Sequence, residues 1–139
     1  MENARTVQDV MTSGPTSIAS DATAVEAARR MLSQDVGSLP VVEGETLVGM
    51  VTDRDLVLQV LAKDLDPTKV PVSDVCTEDP VTVGADESLD VALQRMAKEQ
   101  VRRLPVVSDG RLVGILAQAD VARKASAEST GHLVEEISA

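Results

Sequence analysis

The sequence has no phenylalanine, tyrosine or tryptophan among its 139 residues. Valine, leucine, isoleucine, alanine and methionine therefore have to form the interior. Hydrophobic residues make up 43% of the chain, which is enough for an ordinary globular core. The lack of aromatic rings also removes the platform on which proteins usually stack the bases of single-stranded nucleic acids. A formal charge of −10 has the wrong sign for a duplex-binding surface as well. We therefore expect no nucleic-acid partner.

Cysteine and histidine occur once each, as Cys76 and His132. A single cysteine excludes an internal disulfide, and one residue of each type excludes a zinc site built from four such ligands. We interpret Cys76 as a small apolar residue near a strand start, with a redox role or an intersubunit disulfide as the alternative. Because no nucleophile is spaced with a histidine base, we expect no catalytic residue, no metal site and no enzyme activity.

Long apolar runs are missing too. No stretch reaches the ~18 apolar residues that a membrane-spanning helix requires. The opening residues 1–6 lack the basic-then-apolar layout of a secretory signal. We therefore expect a cytoplasmic protein that has no membrane partner.

An internal repeat dominates what the sequence does contain. Residues 7–56 align with residues 72–121 without a gap, at a constant offset of 65 positions. About 18 of these 50 aligned pairs are identical, which is far more than chance provides. The chain is therefore a duplicated unit. The recurring residues include Asp9 and Asp74, Pro15 and Pro80, Met31 and Met96, Asp55 and Asp120, and Leu-Pro-Val-Val at 39–42 and 104–107.

Each copy predicts the same five elements. β-prone residues after a proline indicate a short first strand. Helical periodicity follows, and Thr23 and Glu26 are spaced as a capping box at the start of the first helix. A buried Leu-Pro-Val-Val strand, a turn, a third strand and a second helix complete the unit. The first strand, third strand and second helix are predicted at 16–18, 46–51 and 53–62 in one copy, and at 81–83, 111–116 and 118–127 in the other.

The predicted fold class is thus α+β, with the order βαββα in each copy. A copy of about 55 residues buries its sheet face poorly when alone. We therefore expect the copies to pack sheet to sheet about a pseudo-twofold axis. The predicted boundaries are 1–62 for the first repeat, 63–71 for a linker, 72–128 for the second repeat and 129–139 for a tail, where Leu133, Val134 and Ile137 fit a short amphipathic helix. The apolar helix faces are assigned to Ala24, Ala28, Met31 and Leu32, and to Leu89, Leu93, Met96 and Ala97.

The repeated pattern resembles the CBS domain, named after cystathionine β-synthase, over residues 7–128. The opening Val-Gln-Asp-Val-Met at 7–11, the Leu-Pro-Val-Val strand and the segment Gly49–Leu56 carry this resemblance. The chain is similar to small stand-alone bacterial CBS-pair proteins, including those of the hypoxic-response type. The resemblance implies two clefts between the repeats that bind AMP, ADP, ATP or a related adenosyl ligand, no obligatory cofactor, and a homodimer.

The strand-to-helix junction at 49–55 is the candidate site. Free backbone amides at a helix start favour a phosphate, and Gly49 lets the backbone come close to a ligand. The Thr52 hydroxyl offers a further donor to phosphate, while the Asp55 carboxylate offers acceptors to both ribose hydroxyls. The resemblance assigns phosphate and ribose to the same two residues. However, Thr52 and Asp55 also fit a capping arrangement that needs no ligand.

The second copy keeps Asp120 but has Ala117 in place of the threonine. We therefore expect one better site at Thr52 and Asp55, and a second site around Asp120 that is weaker, specific for another ligand, or empty.

Aliphatic side chains have to enclose an adenine in this chain, and the candidates are Ile18, Val36 and Val51, with polar groups from Thr16 and Ser17. Their alternative role is plain core packing. Arg102 and Arg103 are candidates to neutralise phosphates, with a surface salt bridge as the alternative.

Two functions from different classes follow. One is a regulatory module that senses an adenine nucleotide. The other is a ligand-free dimeric scaffold or interaction module that has a protein partner and presents an acidic surface or tail. If no nucleotide raises the melting temperature, the scaffold is favoured.

Overall fold

The structure is a computed structural model that describes residues 5–124. The tail at 129–139, with the helix expected at Leu133, Val134 and Ile137, lies outside the described residues. The fold is mixed α+β, and each repeat contains three strands and two helices in the predicted order. Residues 125–127 of the helix predicted at 118–127 lie outside the described residues. The fold class is confirmed, whereas the packing of the two repeats against each other stays a prediction.

The described chain forms two compact units that do not follow the repeat boundaries in sequence. The first-repeat unit contains Thr16–Pro80 and Asp109–Leu112. The second-repeat unit contains Val81–Ser108 with the described parts of Met1–Pro15 and Val113–Ala139. The segment that opens each repeat in sequence thus packs in the unit of the other repeat. The boundaries predicted from the sequence describe the repeats, and they differ from the boundaries of the compact units.

The first-repeat unit is a small sheet covered by helices. In it, β2 pairs in parallel with β3, β3 pairs antiparallel with β4, and β4 pairs antiparallel with β5. Gly44 has a positive φ of 64° in the turn that joins β3 to β4. The elements are β2 (Ile18–Ala19), α2 (Ala24–Gln34), β3 (Ser38–Glu43), β4 (Thr46–Thr52), α3 (Asp53–Leu56), a π-helical turn (Val57–Leu61), a 3₁₀ turn (Val72–Asp74) and β5 (Thr77–Glu78).

The second-repeat unit repeats this plan. Here β6 pairs in parallel with β7, and β1 pairs antiparallel with β8. Asp109 and Gly110 both have positive φ between β7 and β8, as a type I′ hairpin turn requires. The elements are α1 (Val7–Val10), β1 (Thr12–Ser13), β6 (Val83–Gly84), α4 (Leu89–Glu99), β7 (Arg103–Ser108), β8 (Arg111–Ala117) and α5, helical from Gln118 to the last described residue, Lys124.

Helix α2 begins and ends with local hydrogen bonds that its sequence encodes. The predicted capping box is confirmed, since the Glu26 amide donates to Thr23 Oγ1 at 3.3 Å and the Thr23 amide donates to Glu26 Oε2 at 3.4 Å. At the other end Asp35 adopts the left-handed conformation, and the Val36 amide donates to the Met31 carbonyl at 3.0 Å. This bond is the 6→1 bond of a Schellman motif, which ends the helix before β3.

Two predicted sets of element bounds need correction: those of the first strands and that of the second helix in the first repeat. The first strands start at Ile18 and Val83, later than 16 and 81, because only these later residues pair with β3 and β7. The second helix of the first repeat is α-helical only to Leu56 and then continues as the π-helical turn.

The apolar helix faces are also partly wrong. Ala27 and Ala92 are fully buried, whereas Ala28 and Ala97 are exposed and Leu32 is 83% exposed. The buried positions follow the spacing i, i+3, i+7 from Ala24, so the residues one step further turn towards solvent.

Each unit has its own apolar core. In the first-repeat unit the fully buried side chains include Ile18, Leu39, Val51 and Val72. In the second-repeat unit they include Val7, Met96, Leu104 and Leu116. No helix within residues 5–124 is both long and apolar enough to cross a membrane.

Candidate functional site

Thr52 and Asp55 stand at the junction of β4 and α3, as predicted, and they cap each other. The Asp55 amide donates to Thr52 Oγ1 at 3.0 Å, and the Thr52 amide donates to Asp55 Oδ2 at 2.9 Å. Both residues are half-buried. The capping arrangement that the spacing allowed is therefore present, and it accounts for both residues without any ligand.

The free amides expected at this helix start are already in use, which corrects the predicted phosphate site. The Asp53 amide donates to the Gly37 carbonyl at 2.9 Å, and the Arg54 amide donates to Asp53 Oδ1 at 2.8 Å. With the Asp55 amide on Thr52, none of the three is free. The carboxylates of Asp53 and Asp55 also offset the partial positive charge of the helix start. The backbone here is a poor host for a phosphate.

What remains for a ligand is side-chain chemistry. The Thr52 oxygen accepts one bond, and its hydroxyl proton is still free to be donated. On Asp55, Oδ2 accepts from the Thr52 amide, which leaves Oδ1 and the second lone pair of Oδ2 for other donors. This pair suits a ribose hydroxyl better than it suits an anion, because a carboxylate repels phosphate oxygens.

Gly49 lies in β4 with its backbone close to other parts of the chain, and its predicted contact with a ligand stays a prediction. A Cβ on Gly49 would lie 2.7 Å from the Thr77 carbonyl and 2.9 Å from Cys76 Sγ. Glycine is needed here because β5 pairs closely with β4 at this point, so the chain itself fills the space beside Gly49. Gly114 repeats the arrangement, since a Cβ added there would lie 2.9 Å from the Thr12 carbonyl.

The aliphatic candidates for an adenine slot lie together but mostly inside the core. Ile18 and Val51 are 1% and 0% exposed and belong to one core cluster, so their alternative role as core residues is confirmed. Val36 is half-buried and packs against that cluster. Of the polar candidates, Thr16 donates to Gln34 Oε1 at 3.4 Å and is exposed. Ser17 is half-buried, and its carbonyl accepts from Arg30 Nη1.

Arg102 and Arg103 are exposed at the start of β7. Neither guanidinium forms an ion pair with any residue between 5 and 124, so the alternative of a local salt bridge is not observed there. The Arg102 carbonyl accepts from the Gln118 amide at 2.8 Å. Both cations are therefore available to an anion.

Asp120 lines a cavity of about 380 Å³ in the second-repeat unit. Asp120 Oδ1 pairs with Arg123 Nη2 at 2.9 Å. The sequence analysis identified Asp120 but not the other residues that line this cavity. Thr12 could have been found, because it recurs as Thr77 at the repeat offset. The other lining residues are Asp9, Val10, Thr12, Arg123 and Lys124.

Cys76 lies just before β5, half-buried, in agreement with its interpretation as a small residue near a strand start. It borders a cavity of about 360 Å³ that also contains Ser73 and Glu78. Desolvation, followed by the negative charges of Glu78 and Asp55, raises the pKa of the Cys76 thiol. A protonated thiol is a weak nucleophile. Within residues 5–124 no three histidine, cysteine or carboxylate side chains converge as metal ligands.

Comparison with known proteins identifies both repeats. The family model of the CBS domain matches residues 7–62 and 72–127. Hypoxic response protein 1 of Mycobacterium tuberculosis is 40% identical over 119 residues, which cover 85% of this chain and 83% of that protein. The CBS domain-containing protein YhcV of Bacillus subtilis is 41% identical over 133 residues, which cover 95% and 94%.

Solved structures of CBS proteins share the fold. Hypoxic Response Protein I with two coordinated zinc ions has a TM-score of 0.79 at 39% identity, over 86% of this chain and 98% of that one. CBSX2 in complex with AMP has a TM-score of 0.78 at 32% identity, over 89% and 98%. The CBS domain pair of MJ0100, in complex with 5′-methylthioadenosine and S-adenosyl-L-methionine, has 0.76 at 28% identity, over 90% and 98%. The chain therefore belongs to the CBS domain family and carries two copies of that domain.

Proposed function

We propose that this chain is a regulatory module that binds an adenosyl ligand, in the first place AMP, ADP or ATP. The observation that carries the proposal is that two structural neighbours are complexes with such ligands, one with AMP and one with 5′-methylthioadenosine and S-adenosyl-L-methionine. The half-buried pair Thr52 and Asp55 supplies a free hydroxyl proton and a free carboxylate oxygen, which suit a ribose.

The site residues divide by role. We assign the ribose to Asp55 and a polar contact to Thr52, with Thr16, Ser17 and Val36 beside the adenine. Arg102 and Arg103, whose guanidinium groups form no ion pair with residues 5–124, stay candidates to neutralise phosphates. A weaker or differently selective second site is centred on Asp120, where the structure has a cavity.

Regulation follows from differential affinity. A ligand that binds one arrangement of the protein more tightly than another shifts the population between them. No obligatory cofactor and no catalytic step are part of this proposal, and we place the protein in the cytoplasm.

A thermal-shift panel of AMP, ADP, ATP, 5′-methylthioadenosine and S-adenosyl-L-methionine tests the proposal. A ligand present at 100 times its Kd adds about 2.7 kcal/mol of stability. For a chain of this length, that corresponds to a rise in Tm of roughly 10 °C. NADH serves as a larger nucleotide for comparison. If no adenosyl compound raises the Tm at millimolar concentration, the sensing function is wrong.

One observation favours the second candidate, a homodimeric scaffold. The π-helical turn and the residues after it expose a run of apolar side chains: Val57, Leu58, Leu61 and Leu65 are 49%, 42%, 64% and 45% exposed. We propose that a second copy of the chain covers this run. Apolar patches of this kind mark interaction sites on soluble proteins.

The mass in solution tests the scaffold. We expect Leu61→Glu to convert a dimer to a monomer in light scattering after gel filtration, because it places a charge in the apolar run that the second copy would cover. Val91→Glu, the same change at a 39% exposed valine of α4, is the matched control. A wild-type monomer, or a dimer that Leu61→Glu leaves intact, contradicts this interface. A dimer that binds no nucleotide would support the ligand-free scaffold, whereas a dimer that binds nucleotide would support the sensing function.

A further inference from the structure

Two arginines at equivalent positions of the repeats hold the chain just before the first buried strand. Arg30 Nη1 donates to the Ser17 carbonyl, and Arg95 Nη1 donates to the Thr82 carbonyl at 2.8 Å. Arg30 and Arg95 are 65 residues apart, as are Ser17 and Thr82. The same long-range contact therefore exists in both units, and each is made inside its own unit.

The contact in the first-repeat unit restrains a segment that lies just before the paired residues of the sheet. Pairing of β2 begins only at Ile18, so neither Thr16 nor Ser17 is held by a strand neighbour. Besides the Arg30 bond, the described contact of this segment is the long 3.4 Å bond from Thr16 to Gln34. The Ser17 carbonyl shares a peptide group with Ile18, the first paired residue, so the Arg30 bond adds a second restraint to the one that the sheet provides.

The two arginines differ in what else they contact. Arg95 also pairs with Glu87 at 2.8 Å, and Glu87 accepts from the Gly84 amide at 3.0 Å. The position equivalent to Glu87 in the first repeat is Ala22. Arg30 therefore has no such partner, and the Ser17 carbonyl takes its one described bond.

We propose that Arg30 is a positioning residue for the adenosyl ligand, acting through the Ser17 carbonyl rather than through a contact of its own with the ligand. This inference rests on the proposed function, in which Thr16 and Ser17 lie beside the adenine. A carbonyl has two acceptor positions, so one remains for the ligand while Arg30 occupies the other. An edge of backbone held in place before binding lowers the cost of ordering it on binding.

The two ways in which Arg30 could act, through Ser17 or by direct contact with phosphate, predict different losses of affinity. If Arg30 acts through Ser17, its loss weakens every adenosyl ligand by the same factor, whatever the number of phosphates. If Arg30 contacts phosphate directly, the loss grows from the uncharged 5′-methylthioadenosine to AMP and ATP, because the Coulomb interaction scales with charge.

Calorimetric titration of wild type and Arg30→Met with 5′-methylthioadenosine, AMP and ATP decides between these cases. We expect about a fivefold loss of affinity for each ligand, the effect of about one net hydrogen bond. Arg30→Lys should recover part of the affinity, because an ammonium can also donate to the carbonyl. Arg29→Met, the same change at the exposed neighbouring arginine, should bind like wild type.

Each outcome of this titration supports or overturns the positioning role of Arg30. A loss that increases with phosphate number, or an affinity unchanged in Arg30→Met, overturns the positioning role even though wild type binds. If Arg30→Met does not fold, Arg30→Lys alone serves, with a smaller loss expected that is again equal for the three ligands. Failure of wild type to bind any of the three compounds contradicts the proposed function itself and is distinguishable from both.

Discussion

Gly49 is a residue whose reason for being glycine changes once the structure is seen. Its missing side chain makes room for the Thr77 carbonyl and Cys76 Sγ, 2.7 Å and 2.9 Å from a built Cβ. We predict that Gly49→Ala destabilises the protein by about 1–3 kcal/mol, the range for overpacking a core. Urea denaturation measures this loss.

The control for this substitution is Gly37→Ala. A Cβ at Gly37 would lie 3.0 Å from Asp53 Oδ2, the end of an exposed side chain that can move away. It should therefore cost clearly less than Gly49→Ala. Equal losses for the two variants, or none for Gly49→Ala, would show that the approach of β5 to β4 is not as close as described.

Glu87 makes the stability of the second-repeat unit sensitive to acid. The hydrogen bond from Arg95, then that from the Gly84 amide, lowers the pKa of Glu87 below its ordinary value of 4.5. A carboxyl whose pKa is lower in the folded state stabilises above the unfolded pKa and loses this contribution as pH falls through the folded pKa.

We predict that Glu87→Gln reduces the pH dependence of stability below pH 4.5, the ordinary value for this carboxyl, and lowers stability at pH 7. The measurement is urea denaturation from neutral pH down into the acid range. The effect is small because Arg95 and Glu87 are 33% and 37% exposed and solvent screens the pair. Glu26→Gln is the control, since Glu26 caps α2 without an ionic partner. Parallel pH curves for wild type and Glu87→Gln would rule out this account.

Among the elements, the exchanged opening segments have the strongest consequence. Val7 and Val72 are both 0% exposed, and each lies in the core of the unit that contains the other repeat. The Val7 amide donates to the Glu87 carbonyl at 2.9 Å, and the Val72 amide donates to the Ala22 carbonyl at 2.7 Å. Each opening segment thus stabilises the helix and strands of the other repeat.

We predict that Val7→Ala and Val72→Ala each cost about 2 kcal/mol, from two lost methyl groups and the cavity they leave. Hydrogen exchange locates the effect. Val7→Ala should weaken amide protection in α4 and β7 first, and Val72→Ala should weaken it in α2 and β3. Loss of protection in the variant's own sequence repeat, with the other unit unaffected, would contradict the exchange.

Comparison of these elements with the sequence shows what a repeat can predict. β-propensity and helical periodicity located the strands and helices, and Thr23 with Glu26 marked the start of α2, because these signals are local. The exchange of opening segments was not predictable, since an offset shows which residues recur and not which copy they pack against. The occupied amides of α3 depend on the Gly37 carbonyl and the rotamer of Asp53, which neither spacing nor composition encodes.

At the scale of the whole chain, duplication has left two units with one architecture and different surfaces. The first-repeat unit has the Thr52–Asp55 capping box and the apolar run at Val57–Leu61. The second-repeat unit has Arg102 and Arg103 at the start of β7 and a cavity beside Asp120. The two arginines have no counterpart in the first repeat, where Gly37 and Ser38 stand at the equivalent positions.

The central claim is that Asp55 is both a helix cap and the ribose ligand, and two matched variants separate these roles. Asp55→Ala and Glu26→Ala each remove the carboxylate of a capping box, so both should lower stability by about 1 kcal/mol. Calorimetric titration with AMP is the direct measurement. We predict that Glu26→Ala binds AMP like wild type and that Asp55→Ala shows no measurable binding. Wild-type affinity in folded Asp55→Ala would show that this residue is a cap alone.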